Sequence, residues 1–193
     1  EEANKAGLRA AGLVQQLLAF SRKSQVIIEA VDMGAILKEI ESIVRQTFDR
    51  RIELAFVVPP ELPKVRTDAS QIHQVILNLC VNARDALDEV RRRHKTPNLR
   101  ITVQAKTVAV SASDCRGKKH SKPGEYICVS VSDTGTGISP HVRARMFEPF
   151  FTTKGAGKGT GLGLATAYSI VERHGGWIDI ETEMGAGSTF LAY

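Results

Sequence analysis

The chain has 193 residues, 42% of them hydrophobic and 24% charged, an ordinary globular composition with room for one full domain and something more. No run approaches the roughly 18 consecutive apolar residues of a membrane span, and no signal-peptide pattern opens the chain, so membrane association is expected only through segments missing from it. The formal net charge is +5, but the basic residues are scattered apart from Arg91–Arg93 and Lys118–Lys119; no aromatic residues interleave with these clusters, and nucleic acid is not an expected partner.

Residues 1–25 read as a helix. Ala3, Ala6, Ala10, Leu13, Leu17 and Phe20 recur at alternating spacings of three and four, which makes a bundle or coiled-coil seam that wants partner helices. The chain opens in mid-helix and stops inside a strand at Tyr193, as a piece of a longer protein would. Gln25 to Val31 looks extended. Asp32 then caps a second helix whose apolar face is Ile36, Leu37, Ile40, Ile43, Val44 and Phe48, with Val31 placed to staple onto Ile36. Ile52 to Val58 reads as a strand that Pro59 and Pro60 end.

Asp68 starts the most informative helix, with Gln71 at capping-box spacing. Ile72, Val75, Ile76, Leu79, Ala83, Ala86 and Val90 form its core stripe. At 100° per residue, Gln71, Gln74, Asn78, Asn82, Asp85 and Glu89 fall within about 80° of one another beside that stripe. Such a stripe is either a solvated face or a ligand face. Asn is a poor helix former, and its side-chain oxygen is a hard ligand suited to Mg²⁺ that bridges phosphates.

Leu99 to Val110 and Glu125 to Asp133 are expected strands, joined by a polar hairpin loop over Ser111 to Gly124. The second strand runs into Asp133-Thr134-Gly135-Thr136-Gly137. A carboxylate at a strand end beside glycines can accept hydrogen bonds from the amine of a flat base, though the same residues also make an ordinary tight turn. Ile138 to Met146 reads as a short helix, after which Phe147 and Phe150 are expected to anchor the chain on the core. The glycine-rich stretch from Gly155 to Gly163 then empties into a helix over about Leu162 to His174, ended by Gly175 and Gly176. Free N–H groups and the helix dipole at such a start favour phosphate. It is not a Walker loop, because Gly157-Lys158 is followed by Gly159, and a dinucleotide fingerprint does not fit either. Trp177 to Glu183 and Ser188 to Tyr193 close the chain as a hairpin. Cys80, Cys115 and Cys128 show no metal spacing, and two lie in core-like segments, as expected in a reducing, cytoplasmic setting.

Taken together, the motifs resemble the ATP-binding catalytic domain of bacterial sensor histidine kinases, within the wider group of gyrase, the Hsp90 chaperones and MutL. Asn78-Leu79-Cys80-Val81-Asn82-Ala83-Arg84-Asp85-Ala86 looks like the family's N box, and Asp133-Thr134-Gly135-Thr136-Gly137 like its first glycine box. Phe147-Glu148-Pro149-Phe150 is similar to the F box. Gly159-Thr160-Gly161-Leu162-Gly163-Leu164 matches the second glycine box, and Gly185-Ala186-Gly187-Ser188-Thr189-Phe190 the last. The resemblance covers residues 32–193. Residues 1–25 resemble the end of the second helix of the dimerisation domain, notably at Leu17-Leu18-Ala19-Phe20-Ser21-Arg22.

The resemblance implies an α/β (α+β) two-layer sandwich of the Bergerat type, a mixed and mostly antiparallel sheet with helices on one face, and ATP and Mg²⁺ as cofactors. It implies that Asp133 binds the adenine amine and Asn82 holds Mg²⁺ with Asn78 beside it. Gly161 and Gly163 would let a lid close on the phosphates, and Thr189 would lie by the adenine pocket. Asp85, Gly135, Gly137, Phe150, Gly159, Thr160, Leu162 and Leu164 would line the nucleotide, with Lys154 and Lys158 as phosphate contacts by charge and place. Implied partners are a response regulator receiver domain and, in the parent protein, a second copy joined through the dimerisation helices. The family phosphorylates a His, usually followed by an acid, on the first dimerisation helix. None of the five His here fits, so that helix is expected to be absent from the chain. Where gyrase-like relatives carry a water-activating Glu, this chain has Asn78, which cannot serve as that base. ATP is therefore expected to keep its γ-phosphate for transfer. The rival readings are a gyrase- or Hsp90-like ATPase and a scaffold that senses nucleotide without transferring phosphate.

Overall fold

A computed structural model describes residues 27–93, 98–115, 121–155 and 159–193. The whole of the proposed helix over 1–25, with its seam on residues 3–20, and Lys158 lie outside the described residues.

The described chain begins with β1 (Glu29–Val31), α1 (Met33–Thr47), β2 (Glu53–Val57), β3 (Val65–Thr67) and α2 (Ala69–Arg93). It continues through β4 (Arg100–Val110), β5 (Gly124–Asp133), α3 (Pro140–Arg145), α4 (Gly163–Arg173), β6 (Ile178–Glu183) and β7 (Gly187–Ala192). Five strands form one sheet in the order β2-β4-β5-β7-β6. Only β2 and β4 run parallel; the other three pairings are antiparallel. The helices cover one face, the expected two-layer sandwich.

Local chemistry sets the helix ends. Asp32 accepts from the backbone N–H groups of Gly34 and Ala35 and so caps α1 as its sequence position suggests. Ile36, Leu37, Ile40 and Val44 are its buried stripe. The long helix α2 packs on β5 and against α4 and α1. Its buried residues are Val75, Ile76, Leu79, Cys80, Ala83 and Leu87. That stripe is rotated from the expected one toward Cys80 and Leu87, which leaves Ala86 at the edge of the core, free to meet the β5 end.

One small sheet was not foreseen. β1 pairs antiparallel with β3, from Glu29 opposite Thr67 to Val31 opposite Val65. It ties the start of the described chain to the residues just before α2.

Phe147 is partly buried and packs against the core beside Tyr168, ring centroids 4.6 Å apart. Phe150 corrects the expectation of a second anchor, being 64% exposed. Its φ is +66°, a left-handed conformation rare for a bulky residue. The cause is Gly161: the Phe150 N–H donates to its carbonyl at 3.0 Å. Gly161 itself has φ +67°, and a Cβ there would stand 2.4 Å from the Phe150 carbonyl carbon. The two backbones cross so closely that the Phe150 side chain is turned outward.

Candidate nucleotide-binding site

The site gathers on the helix face at one end of the sheet. Val103, Val131 and Phe190 are register partners and all buried, which marks the face that meets the helices. Asp133 is two residues on from Val131 and pairs with Ser188, so both point to that same face. Asp133 is 8% exposed, and burial pushes its carboxyl up to about 6, against the opposing pull of backbone N–H groups from Gly135 and Ser188. The Gly135 N–H donates to Oδ1 at 2.8 Å. A Cβ on Gly135 would lie 2.5 Å from that oxygen and 2.7 Å from Cβ of Ala86. Only glycine lets α2 and the carboxylate approach this closely. Gly137 follows with φ +72° at the backbone of Glu183.

Along α2, Asn78 donates from Nδ2 to the carbonyl of Gly163 at 3.1 Å, tying α2 to the first residue of α4. One turn on, Nδ2 of Asn82 is buried and has no hydrogen-bond partner. A buried donor without a partner carries a desolvation cost. It lies beside the opening of α4, 4.0 Å from where a Gly163 Cβ would be. Helix α4 starts without a side-chain cap, Leu162 occupying the N-cap position, so its first N–H groups face outward unsatisfied by side chains.

A second turn along, Asp85 receives Arg84 Nη2 at 2.7 Å on one oxygen and Lys154 Nζ on the other. Lys154 comes from the segment before the glycine loop, so the loop is tethered to the same flank of α2. Gly159 lies against Lys154 and Thr152. Oγ1 of Thr160 accepts from the Leu162 N–H at 3.3 Å. Leu162 is buried and Leu164 packs on the core, which fixes the end of the loop. A Cβ on Gly163 would make only ordinary contact with Asn78, at 3.8 Å.

Thr189 is not brought to this group. It pairs with Ser132 on the opposite sheet face, where the two hydroxyls meet at 2.9 Å. Its neighbour Ser188 takes the place expected of it: buried, beside Asp133, with Oγ 2.9 Å from Oγ1 of Thr182. The motif was legible, but which of two adjacent hydroxyls faces in depends on register.

The residues present fit a magnesium-bound nucleotide. An Asn amide offers an oxygen to a hard cation and an N–H to a phosphate oxygen, and Asn82 holds such a donor unspent beside an open helix start. A buried acid at the strand end supplies the acceptor that a base amine needs.

A five-stranded mixed sheet, helices on one face, a buried acid at a central strand end and a glycine loop opening a helix define an ATP-binding domain of the two-layer α/β type. The family described as histidine kinase-, DNA gyrase B-, and HSP90-like ATPase matches residues 67–193. The chain belongs to that family, as a catalytic ATP-binding domain similar in sequence and structure to those of sensor histidine kinases.

Over 185 residues it is 38% identical to the sensor kinase CckA of Brucella abortus, covering 96% of this chain and 19% of that protein. Identity to the sensor histidine kinase ZraS of Escherichia coli K12 is 33% over 182 residues, 94% of this chain and 34% of that protein. The chain thus spans about a fifth to a third of the length of these relatives. Among solved structures, full-length ShkA in complex with AMPPNP matches with a TM-score of 0.73 at 25% identity, over 97% of this chain and 36% of that one. The catalytic domain of histidine kinase ThkA matches with a TM-score of 0.61 at 26% identity, over 86% of this chain and 93% of that one.

Proposed function

We propose that this chain binds Mg-ATP between α2, the end of β5 and the start of α4, and serves as the catalytic domain of a sensor histidine kinase. The parent protein would transfer the γ-phosphoryl group to a His carried outside this chain, and then to an Asp of a response regulator receiver domain. In the first step the bond from the γ-phosphorus to the bridging oxygen breaks, ADP leaves, and a phosphorus–nitrogen bond forms to the imidazole. The observation that carries the reading is the unpartnered Nδ2 of Asn82, buried beside the uncapped start of α4 on the sheet face that holds the Asp133 carboxylate.

Asp133 accepts from the adenine amine in this reading, and Gly135 keeps the approach to it open. Asn82 would hold Mg²⁺, which would supply positive charge to offset the phosphates. The free N–H groups of α4 and the ammonium of Lys154 meet the phosphates, with Lys158 as a further contact. Asn78 supplies no base for water, and its amide is engaged in holding α4. Kinase rather than ATPase follows from that. Residues 32–193 form the catalytic domain and 1–25 the end of a dimerisation helix through which two copies join. ThkA has been solved with a response regulator protein, and ShkA with AMPPNP, which supports the same partner and ligand class here. A cytoplasmic, bacterial setting goes with ATP as substrate. Among the described residues no helix is long and apolar enough to cross a membrane.

Calorimetric titration with ATP and GTP, followed by a phosphate-release assay, tests the proposal. ATP should bind with Mg²⁺, GTP far more weakly, and phosphate release should be slow. Equal binding of both nucleotides removes the role of Asp133, and rapid phosphate release favours the ATPase.

A further inference from the structure

Asp68 sits where three parts of the chain meet, and it is 7% exposed. Its Oδ1 accepts from the N–H groups of Ser70 and Gln71 and from the Ser70 hydroxyl, the ordinary work of a helix cap. Its Oδ2 accepts from the Ile27 N–H at 3.2 Å, forty-one positions upstream. The expected capping box is only half made. The Gln71 amide reaches the Asp68 carboxylate rather than its N–H. The Asp68 N–H instead donates to Nε2 of His174 at 3.4 Å.

The tautomer of His174 follows. Nδ1 lies 2.8 Å from the Ile170 carbonyl, which can only accept, so Nδ1 carries the proton and Nε2 is free to accept. His174 therefore clamps the C-terminal end of α4 to the cap of α2. Arg173 adds a second link, donating to Oε1 of Gln71 at 3.4 Å. At the other end of the same two helices, Asn78 donates to Gly163. The pair is fastened at both ends, once beside the proposed nucleotide site and once at Asp68. β1 is laced to β3 from Glu29 to Val31, and β3 ends at the residue before Asp68.

We propose that Asp68 and His174 are positioning residues that join the entering strand, residues 27–31, to the helix pair gripping the nucleotide, so that nucleotide binding and the seating of that strand reinforce each other. The proposal rests on nucleotide binding at α2 and α4. Coupling of this kind is reciprocal: whatever seats the entering strand tightens the nucleotide site, and nucleotide tightens the strand. Neither residue touches the nucleotide.

Asp68→Asn separates the two duties of the carboxylate. Asn is as good a helix cap as Asp, and the three donors on Oδ1 hold its amide oxygen in that place. The other position then presents an NH₂ to the Ile27 N–H, and that link is lost. The test is amide hydrogen exchange on the whole chain, with and without saturating Mg-ATP. In the wild type, nucleotide should slow exchange over residues 131–138 and 162–165, and also by about fivefold over residues 27–31, the lower end of ordinary coupling. In Asp68→Asn the first two effects should remain and the third vanish, with the melting temperature little changed. His174→Phe should lose the third effect, and His174→Gln, whose amide oxygen can accept from the Asp68 N–H, should keep it. Protection at 131–138 and 162–165 without any at 27–31 in the wild type overturns the junction alone. So does a response at 27–31 that survives in Asp68→Asn. No protection anywhere overturns the nucleotide reading and the junction with it.

Discussion

The ammonium of Lys154 donates to Oδ2 of Asp85, sixty-nine residues away in the chain, and fastens the segment before the glycine loop to the flank of α2 that carries Asn78 and Asn82. The other Asp85 oxygen is held by Arg84. Both partners are partly exposed, at 33% and 19% of the side chain, so the pair adds little to stability, about 0–1 kcal/mol. Its position matters more. A phosphate entering between Asn82 and α4 competes with Asp85 for the same ammonium. Lys154→Met should weaken ATP binding about tenfold, the loss of a charge-assisted hydrogen bond of 1.4 kcal/mol or so. Adenosine binding should stay as it was, and thermal unfolding should barely move. Equal losses for ATP and adenosine in a titration would show that Lys154 shapes the loop and does not meet the phosphates.

Burial gives Asp133 a pH signature with a definite sign. An unfolded Asp titrates near 3.9, and in the fold this carboxyl is pushed up to about 6. Between about pH 4 and 6 the folded state holds a proton that the unfolded chain has released, so the contribution of this group to stability falls as pH rises through that window. At pH 7 the ionised, buried carboxylate costs about 2–3 kcal/mol. Asp133→Asn should therefore stabilise the ligand-free chain at pH 7 and leave it nearly unchanged at pH 4. The same variant should bind adenosine at least tenfold more weakly at pH 7. Melting curves at the two pH values check the first statement, and a lower melting temperature for the variant at pH 7 would contradict it.

Asn82 should separate metal binding from folding. Its Nδ2 has no partner, so Asn82→Ala removes an unsatisfied group and should change the melting temperature little. It should abolish most of the gain in ATP affinity that Mg²⁺ provides, while adenosine binding persists. A marked fall in thermal stability, with the Mg²⁺ effect intact, would assign Asn82 a structural role instead.

Periodicity read the long helix well because its two stripes come from residue types with opposed preferences: Asn is a poor helix former that needs a reason to be there, and Val, Ile and Leu mark the core. Asp133 was legible because an alternating strand ends on it. What stayed hidden depended on partners far away in sequence. Val65 to Thr67 is too short to show a period and is a strand only because Glu29 to Val31 lies beside it. Phe150 looked like a core anchor until the crossing with Gly161 turned it out. Thr189 and Ser188 could be told apart only once β7 was in register with β5, since a shift of one residue exchanges the faces.

Gly135 should tolerate no side chain. A Cβ there would meet Oδ1 of Asp133 at 2.5 Å and Ala86 at 2.7 Å, both rigidly held. Gly135→Ala must displace the carboxylate or lift α2 from β5, at about 1–3 kcal/mol for overpacking of this kind. Loss of adenosine binding should accompany the loss of stability. Gly163→Ala is the contrast, since its Cβ would make only ordinary contact at 3.8 Å and its helical position suits alanine. An unchanged melting temperature for Gly135→Ala would show that the approach of α2 to Asp133 is looser than its geometry indicates.

If the phosphoryl group goes to a His outside this chain, as proposed, the chain alone should not label itself. The residues proposed to hold the nucleotide lie within 78–164, yet no His in the chain is followed by an acid: the five precede Gln74, Lys95, Ser121, Val142 and Gly175. Of those described, His174 has both ring nitrogens engaged, one with the Ile170 carbonyl and one with the Asp68 N–H. An imidazole so bound cannot present a free lone pair in line with a γ-phosphate, and in-line geometry is what phosphoryl transfer requires. Incubated with radiolabelled ATP and Mg²⁺, this chain should bind nucleotide and take up no label that survives base and is lost in acid. Mixed with, or fused to, a helix pair that carries an acceptor His, it should transfer label to that His. Base-stable, acid-labile labelling of this chain alone, mapped to His73, His94, His120, His141 or His174, would show that the acceptor lies within these 193 residues and would overturn the assignment of an acceptor elsewhere.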